Sequence, residues 1–132
     1  METKPISKPK RLIPRKVLSL LDNLFFAAKI NQAAARASVQ TIYAKTPSQA
    51  LELARAECPS QIIVDLDAAK CSPLEFITEL KNDPDLQVIP TLGFVSHINT
   101  DLQQQARKAG CDQVMARSAF DRNLASLFHQ HS

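Results

Sequence analysis

The sequence predicts an α/β protein, a three-layer doubly wound sandwich around a five-stranded parallel sheet. Three observations predict it. Short apolar runs rich in β-branched residues alternate five times with stretches of helical periodicity. The central run, Ile62-Ile63-Val64, offers apolar side chains to both faces of a strand and then ends on Asp65 and Asp67. That pattern belongs to a strand covered on both sides, with a polar site at its carboxyl end. Finally, Thr46-Pro47-Ser48-Gln49, Ser72-Pro73-Leu74-Glu75 and the pair Thr100 and Gln103 each place a hydroxyl three residues before Glu or Gln, a reciprocal helix-start signal.

Length and composition bound what this fold can be. The 132 residues make one domain, and 45% apolar with 22% charged content is that of a globular protein. No apolar run approaches a membrane span, and the polar start does not read as a signal peptide, so the expectation is a cytoplasmic protein. Cys58, Cys71 and Cys111 are odd in number and lack metal-ligand spacing, which predicts reduced thiols. The net charge of +3 divides unevenly. Residues 1–16 hold six basic groups and one acid, whereas the remainder holds ten basic and twelve acidic groups. Residues 1–15, with Pro5, Pro9 and Pro14 among the cations, are therefore expected to form a disordered basic arm ahead of a domain at 16–132. Such an arm could act as a nucleic-acid or membrane adaptor. The lack of aromatic residues among its charges favours a solubilising leader instead.

Taken in order, residues 16–21 (KVLSLL) read as the first strand, with Asp22 and Asn23 at its carboxyl end. A helix over 25–37 turns Phe26, Ile30, Ala33, Ala34 and Ala37 inward. Residues 39–44 are a second strand, and a helix opened by Thr46 runs to about residue 57. After the central strand, Ser72 caps a helix whose apolar face is Leu74, Ile77 and Leu80, and Pro84 stops it. The fourth strand spans 88–94, the next helix ends at Gly110, the fifth strand is 113–116, and a helix over 121–130 closes the chain.

These residues resemble a known family. Asp65 ends a strand ten residues before Glu75, and the run Leu80-Lys81-Asn82-Asp83-Pro84-Asp85-Leu86-Gln87-Val88-Ile89-Pro90 follows. Together with Lys108-Ala109-Gly110-Cys111-Asp112, it resembles a response-regulator receiver domain over roughly residues 16–130. The resemblance implies strand order 2-1-3-4-5 and a site beyond the carboxyl ends of the strands. It also implies that Asp65 matches the phosphoacceptor. The family's acid pair at the end of the first strand falls on Asp22-Asn23, or on Leu21-Asp22 if the register slips by one; either way one carboxylate is missing and Mg²⁺ binding through Asp22 and Asp65 is expected to be weak. The hydroxyl position at the end of the fourth strand falls on Val95, with Ser96 next, and the family's lysine is Arg117. Its following proline is Ser118, which predicts a trans bond and an altered loop. The aromatic switch position is Val114.

Four departures together predict a degenerate site, a cluster of Asp22, Asn23, Asp65, Asp67, Ser96, His97 and Arg117 in which Arg117 makes a permanent bidentate ion pair with Asp65. His97 reads either as an exposed loop histidine or as a ligand, and Asp67 as a solvated loop carboxylate. Glycine-rich phosphate loops and nucleophile–base motifs of recognised kinds are absent, so an enzyme is not expected. The first functional reading is a stand-alone pseudo-receiver, a phosphorylation-independent interaction module for a signalling protein. A Mg²⁺-dependent receiver phosphorylated on Asp65 is the second, and an adaptor working through the arm is the third. Homodimerisation through the last two helices is left open.

Overall fold

The computed structural model describes residues 15–96 and 100–130, with side chains as far as Phe128. Five strands, β1 (Arg15–Leu20), β2 (Val39–Ala44), β3 (Gln61–Asp65), β4 (Thr91–Val95) and β5 (Gln113–Ala116), form one parallel sheet in the order β2-β1-β3-β4-β5. Between them lie α1 (Leu24–Arg36), α2 (Pro47–Glu57), α3 (Pro73–Asn82) and α4 (Thr100–Ala109), and α5 (Arg117–Gln130) follows β5. The expected architecture and strand order are those observed. β1 begins one residue before the expected domain boundary, on Arg15.

Alternation along the strands divides the core into two. Leu18, Leu20, Ile62, Val64 and Val95 pack towards α2, α3 and α4, where Phe76, Ile77 and Leu80 meet them. Val17, Ile63, Leu92 and Phe94 face the other way, onto Phe26 and Ile30 of α1 and Phe120, Leu124, Leu127 and Phe128 of α5. Period-two alternation in strands buried on both faces produces this division. The resulting layers put the carboxyl ends of β1, β3 and β4 at one edge.

The residues that carry the family resemblance at 80–90 and 108–112 turn out to be structural. Lys81 Nζ donates to the carbonyls of Gln87 (3.0 Å) and Ile89 (2.9 Å) and to Asp112 Oδ2 (2.9 Å). Asp112 Oδ2 also accepts from the Thr91 N–H at 2.8 Å. The α3–β4 connection and the α4–β5 turn are thus tied through one ammonium. Gly110, at φ 112°, lies against Lys81, and a Cβ there would come within 2.6 Å of Lys81 Cγ. Both conformation and space exclude a side chain.

Several boundaries differ from expectation, each for a local reason. Thr46 does cap α2, accepting from the Gln49 N–H at 3.1 Å, while Gln49 Oε1 accepts from the Lys45 N–H at 3.0 Å. Ser72 makes no side-chain cap: it sits at φ 47°, ψ 58° after a 3₁₀ turn at Ala69–Cys71, and left-handed backbone points its hydroxyl away from the helix start. Thr100 is the first residue of α4, so any cap falls outside the described residues. β4 starts at Thr91, and Val88, expected in that strand, is 77% exposed in the preceding connection. α5 begins at Arg117, four residues early: no proline follows to disfavour helical geometry at Arg117, and Phe120 takes a buried seat.

Candidate functional site

At the carboxyl edge of the sheet, Asp65 ends β3 with 3% exposure. Its Oδ1 accepts from the Asp67 N–H at 3.0 Å, so the chain folds back over the carboxylate immediately after the strand. Burial pushes the Asp65 carboxyl above the usual range; the hydrogen bond from Asp67 and the Arg117 charge oppose that, and the charges of Asp67 and Asp22 add to it. The balance is a carboxylate whose charge the fold tolerates at a cost.

Arg117 reaches this carboxylate from the start of α5. Its Nη2 lies 3.6 Å from Asp65 Oδ1 and 3.4 Å from Asp67 Oδ2. The expected bidentate pair with Asp65 alone is therefore replaced by one nitrogen shared between two carboxylates. The reason is the platform beneath it: the guanidinium carbon stands 4.5 Å from the centre of the Phe26 ring and 5.7 Å from that of Phe94. Stacking on aromatic faces suits a planar delocalised cation and not an ammonium. Phe94 itself stacks on Phe120 at 4.4 Å and 14° and leans on Phe26 at 5.4 Å. Sequence reasoning missed this platform, although Arg117, Phe120, Leu124 and Phe128 follow helical spacing and share one stripe of α5.

Asp67 does more than a solvated loop carboxylate would. Its Oδ2 accepts from the Ser96 backbone N–H as well as from Arg117, so this single oxygen joins the ends of β3 and β4 to the start of α5. Ser96 enters through its backbone, and its side chain is exposed. Val95 is the last residue of β4 and fully buried, so the family's hydroxyl position is apolar as expected. Val114 likewise packs against the core. No cis peptide occurs among the described residues, and the Arg117–Ser118 bond is trans.

Asn23 is recruited elsewhere. Its Oδ1 accepts from the N–H groups of Phe25 (2.9 Å) and Phe26 (3.3 Å), capping α1. Asp22 is exposed beside the site, and its charge raises both Asp65 and the buried Cys71 thiol, although burial is the larger cause for each. His97 lies outside the described residues. The structure thus brings together Asp22, Asp65, Asp67, Arg117 and the Ser96 N–H, and turns Asn23 to a structural task.

The family resemblance implies a divalent cation, and these residues do not fit one. The amide that stands in place of a second acid is committed to a helix cap, and a guanidinium lies against Asp65 and Asp67. Among the described residues no group of three His, Cys, Asp or Glu side chains is disposed to hold a metal. Mg²⁺ needs only one or two carboxylates beside its waters, but here the positive guanidinium of Arg117 stands against the Asp65 and Asp67 oxygens that would ligate it.

Comparison with known proteins places the molecule. The polar-differentiation response regulator DivK of Brucella anthropi is 25% identical over 105 residues, covering 80% of this chain and 85% of that protein. DivK of Brucella abortus strain 2308 is 28% identical over 78 residues, 59% of this chain and 63% of that protein. The chain has the fold of a receiver domain. No family model matches it. Its fold superposes on the chemotaxis response regulator CheY4 of Vibrio cholerae with a TM-score of 0.76 at 16% identity, covering 90% of this chain and 99% of that one. The phosphorylated cyanobacterial phytochrome response regulator RcpA gives 0.71 at 24% identity, with 89% of each chain covered. The Mn²⁺-bound form of the response regulator Rcp1 gives 0.69 at 21% identity over 89% of each chain. Among the described residues no helix is long and apolar enough to cross a membrane.

Proposed function

We propose that this receiver domain is a pseudo-receiver, a cytoplasmic protein–protein interaction module in bacterial-type signalling whose output does not depend on phosphorylation. The observation that carries the reading is Arg117, stacked on Phe26 and shared between Asp65 and Asp67. A receiver switches when a phosphoryl group on the strand-end aspartate draws in a cation and a hydroxyl. Here the cation is already seated, the hydroxyl position is Val95, and Val114 has no ring to turn. The domain rests in one state, and its role is to present a surface to a signalling protein rather than to catalyse. Asp22, Asp65 and Asp67 then serve as the acidic wall that holds Arg117, and Mg²⁺ is not required.

The second reading, a Mg²⁺-dependent receiver phosphorylated on Asp65, has the position of Asp65 at the end of β3 in its favour. Incubation with Mg²⁺ and acetyl phosphate, followed by intact-mass analysis, separates the two. The pseudo-receiver reading expects no phosphoryl adduct on the wild-type chain. An adduct that disappears in Asp65→Asn would replace it with the second reading.

A further inference from the structure

On the face of the sheet that carries the aromatic platform, α1 and α5 lie side by side and leave a groove of about 270 Å³ between them. Ala33 and Leu124, both buried, form its floor. Charged residues stand on its walls, Lys29 and Arg36 on α1 and Asp121 and Arg122 on α5. Lys29, Ala33 and Arg36 recur at helical spacing, so one stripe of α1 faces the groove along two turns.

The charges do not balance. Lys29 is already engaged: its Nζ pairs with Asp121 at 3.0 Å and lies 4.7 Å from the centre of the Phe25 ring. Arg36 and Arg122 are exposed, and neither guanidinium has an ion-pair partner among the described residues. Arg36 stands in the last turn of α1, where the helix end favours a cation. Arg122 lies within α5 and has no such reason for its place. The surplus is positive, although residues 17–132 hold ten basic groups against twelve acids.

An anionic ligand matches this surplus, and the walls select among anions. Both are helical backbone away from the N-termini, with N–H groups bonded inside the helices, so a small anion finds no amide cradle. No aromatic side chain lines the groove, which leaves nucleic-acid bases without a stacking surface. An apolar floor between two arginines suits a peptide that carries an aliphatic side chain between carboxylates.

We propose that the α1–α5 groove docks an acidic segment of a partner protein, its carboxylates on Arg36 and Arg122 and an aliphatic side chain on Ala33 and Leu124. The same two helices bear the platform, Phe26 on α1 and Arg117 and Phe120 on α5, so the seated arginine holds the groove walls in place. This docking rests on the domain's being an interaction module. It stands or falls apart from the phosphorylation question, because the mass measurement reads Asp65 and the binding measurement reads the groove.

Fluorescence anisotropy with a fluorescein-labelled peptide of alternating Glu and Leu tests it, on the full chain at about 0.15 M salt, where distant charges are screened. The groove variant is Arg36→Ala/Arg122→Ala. A control of equal charge is Arg107→Ala/Lys108→Ala, two exposed cations of α4 on the other face of the sheet. Both pairs are exposed, so the fold tolerates their loss. The cations of residues 1–15 are the same in every chain and cancel in the comparison. The groove variant should bind about tenfold more weakly, and the control should bind as the wild type does. Equal affinity in wild type and groove variant, equal losses in both variants, or no binding by the wild type would overturn the proposal. Displacement by inorganic phosphate at the peptide's own concentration would also overturn it, assigning the groove to a small anion. A concentration-dependent dimer that is lost in the groove variant would assign it to a second copy instead.

Discussion

Removing the arginine from the site is the perturbation with the clearest consequences. In Arg117→Ala, Asp65 and Asp67 lose their shared cation, and Phe26 loses the guanidinium 4.5 Å above its ring. A charge-assisted contact is worth about 1.5–3 kcal/mol, but the distances of 3.4–3.6 Å place this one at the weak end. The guanidinium–ring contact adds about 1 kcal/mol. The sum, about 2–3 kcal/mol, corresponds to a fall in Tm of roughly 6–12 °C for a domain of this size. The loss should also depend on pH. Arg117 lowers the Asp65 pKa, so its removal raises that pKa further, and the uncompensated charge penalises the variant only where Asp65 is ionised. Urea unfolding at pH 7 and near pH 4 is the assay. The gap between wild type and variant should be wide at pH 7 and narrow in acid. A gap below about 0.5 kcal/mol at pH 7, within the range of ordinary surface substitutions, would refute the reasoning. So would one of equal size at both pH values.

Other expectations follow from the same geometry. Asp65→Asn removes a group whose folded pKa is raised, so the wild type loses stability relative to it as pH rises from the unfolded value near 3.8 through the folded one; parallel melts should show the variant's advantage growing over that window. Asn23→Ala deletes the cap of α1 and should cost about 1 kcal/mol in urea unfolding, while Asn23→Asp keeps the cap. Gly110→Ala forces a side chain onto Lys81 at φ 112° and should lose about 1–3 kcal/mol of stability, measured by calorimetry. Phe94→Ala empties the stack between Phe26 and Phe120, and a loss of about 3–5 kcal/mol is expected in chemical unfolding.

The fold was legible because its signals are physical and local. Strands β2 and β5 fall where their apolar runs do, and Ile62 to Val64, β-branched and bounded by polar residues, form the strand covered on both faces that they predict. The family-like residues were legible as well, since Lys81, Gly110 and Asp112 hold one another in place through hydrogen bonds and close packing. The site was legible in part. That Asp65 ends the central strand can be read from spacing, and that Val95 stands where a hydroxyl would be expected follows from the family resemblance. Asn23 could not be assigned, because a residue between a strand end and a helix start suits both a ligand and a cap, and only the observed N–H contacts decide. Asp67 was undervalued because its partners, Ser96 and Arg117, are 29 and 50 residues away in sequence. The sharing of Arg117 depends on an aromatic platform built from α1 and β4, which no local pattern announces.

The account's central claim is that Arg117 already holds the site in one state, so that no phosphoryl group is needed to set it. A backbone NMR titration with Mg²⁺ and then beryllofluoride, which mimics an aspartyl phosphate, tests this most directly. The account predicts no shifts around Asp65, Ser96 and Arg117 at millimolar reagent. Shifts centred on Asp65 that need both reagents and vanish in Asp65→Asn would contradict it.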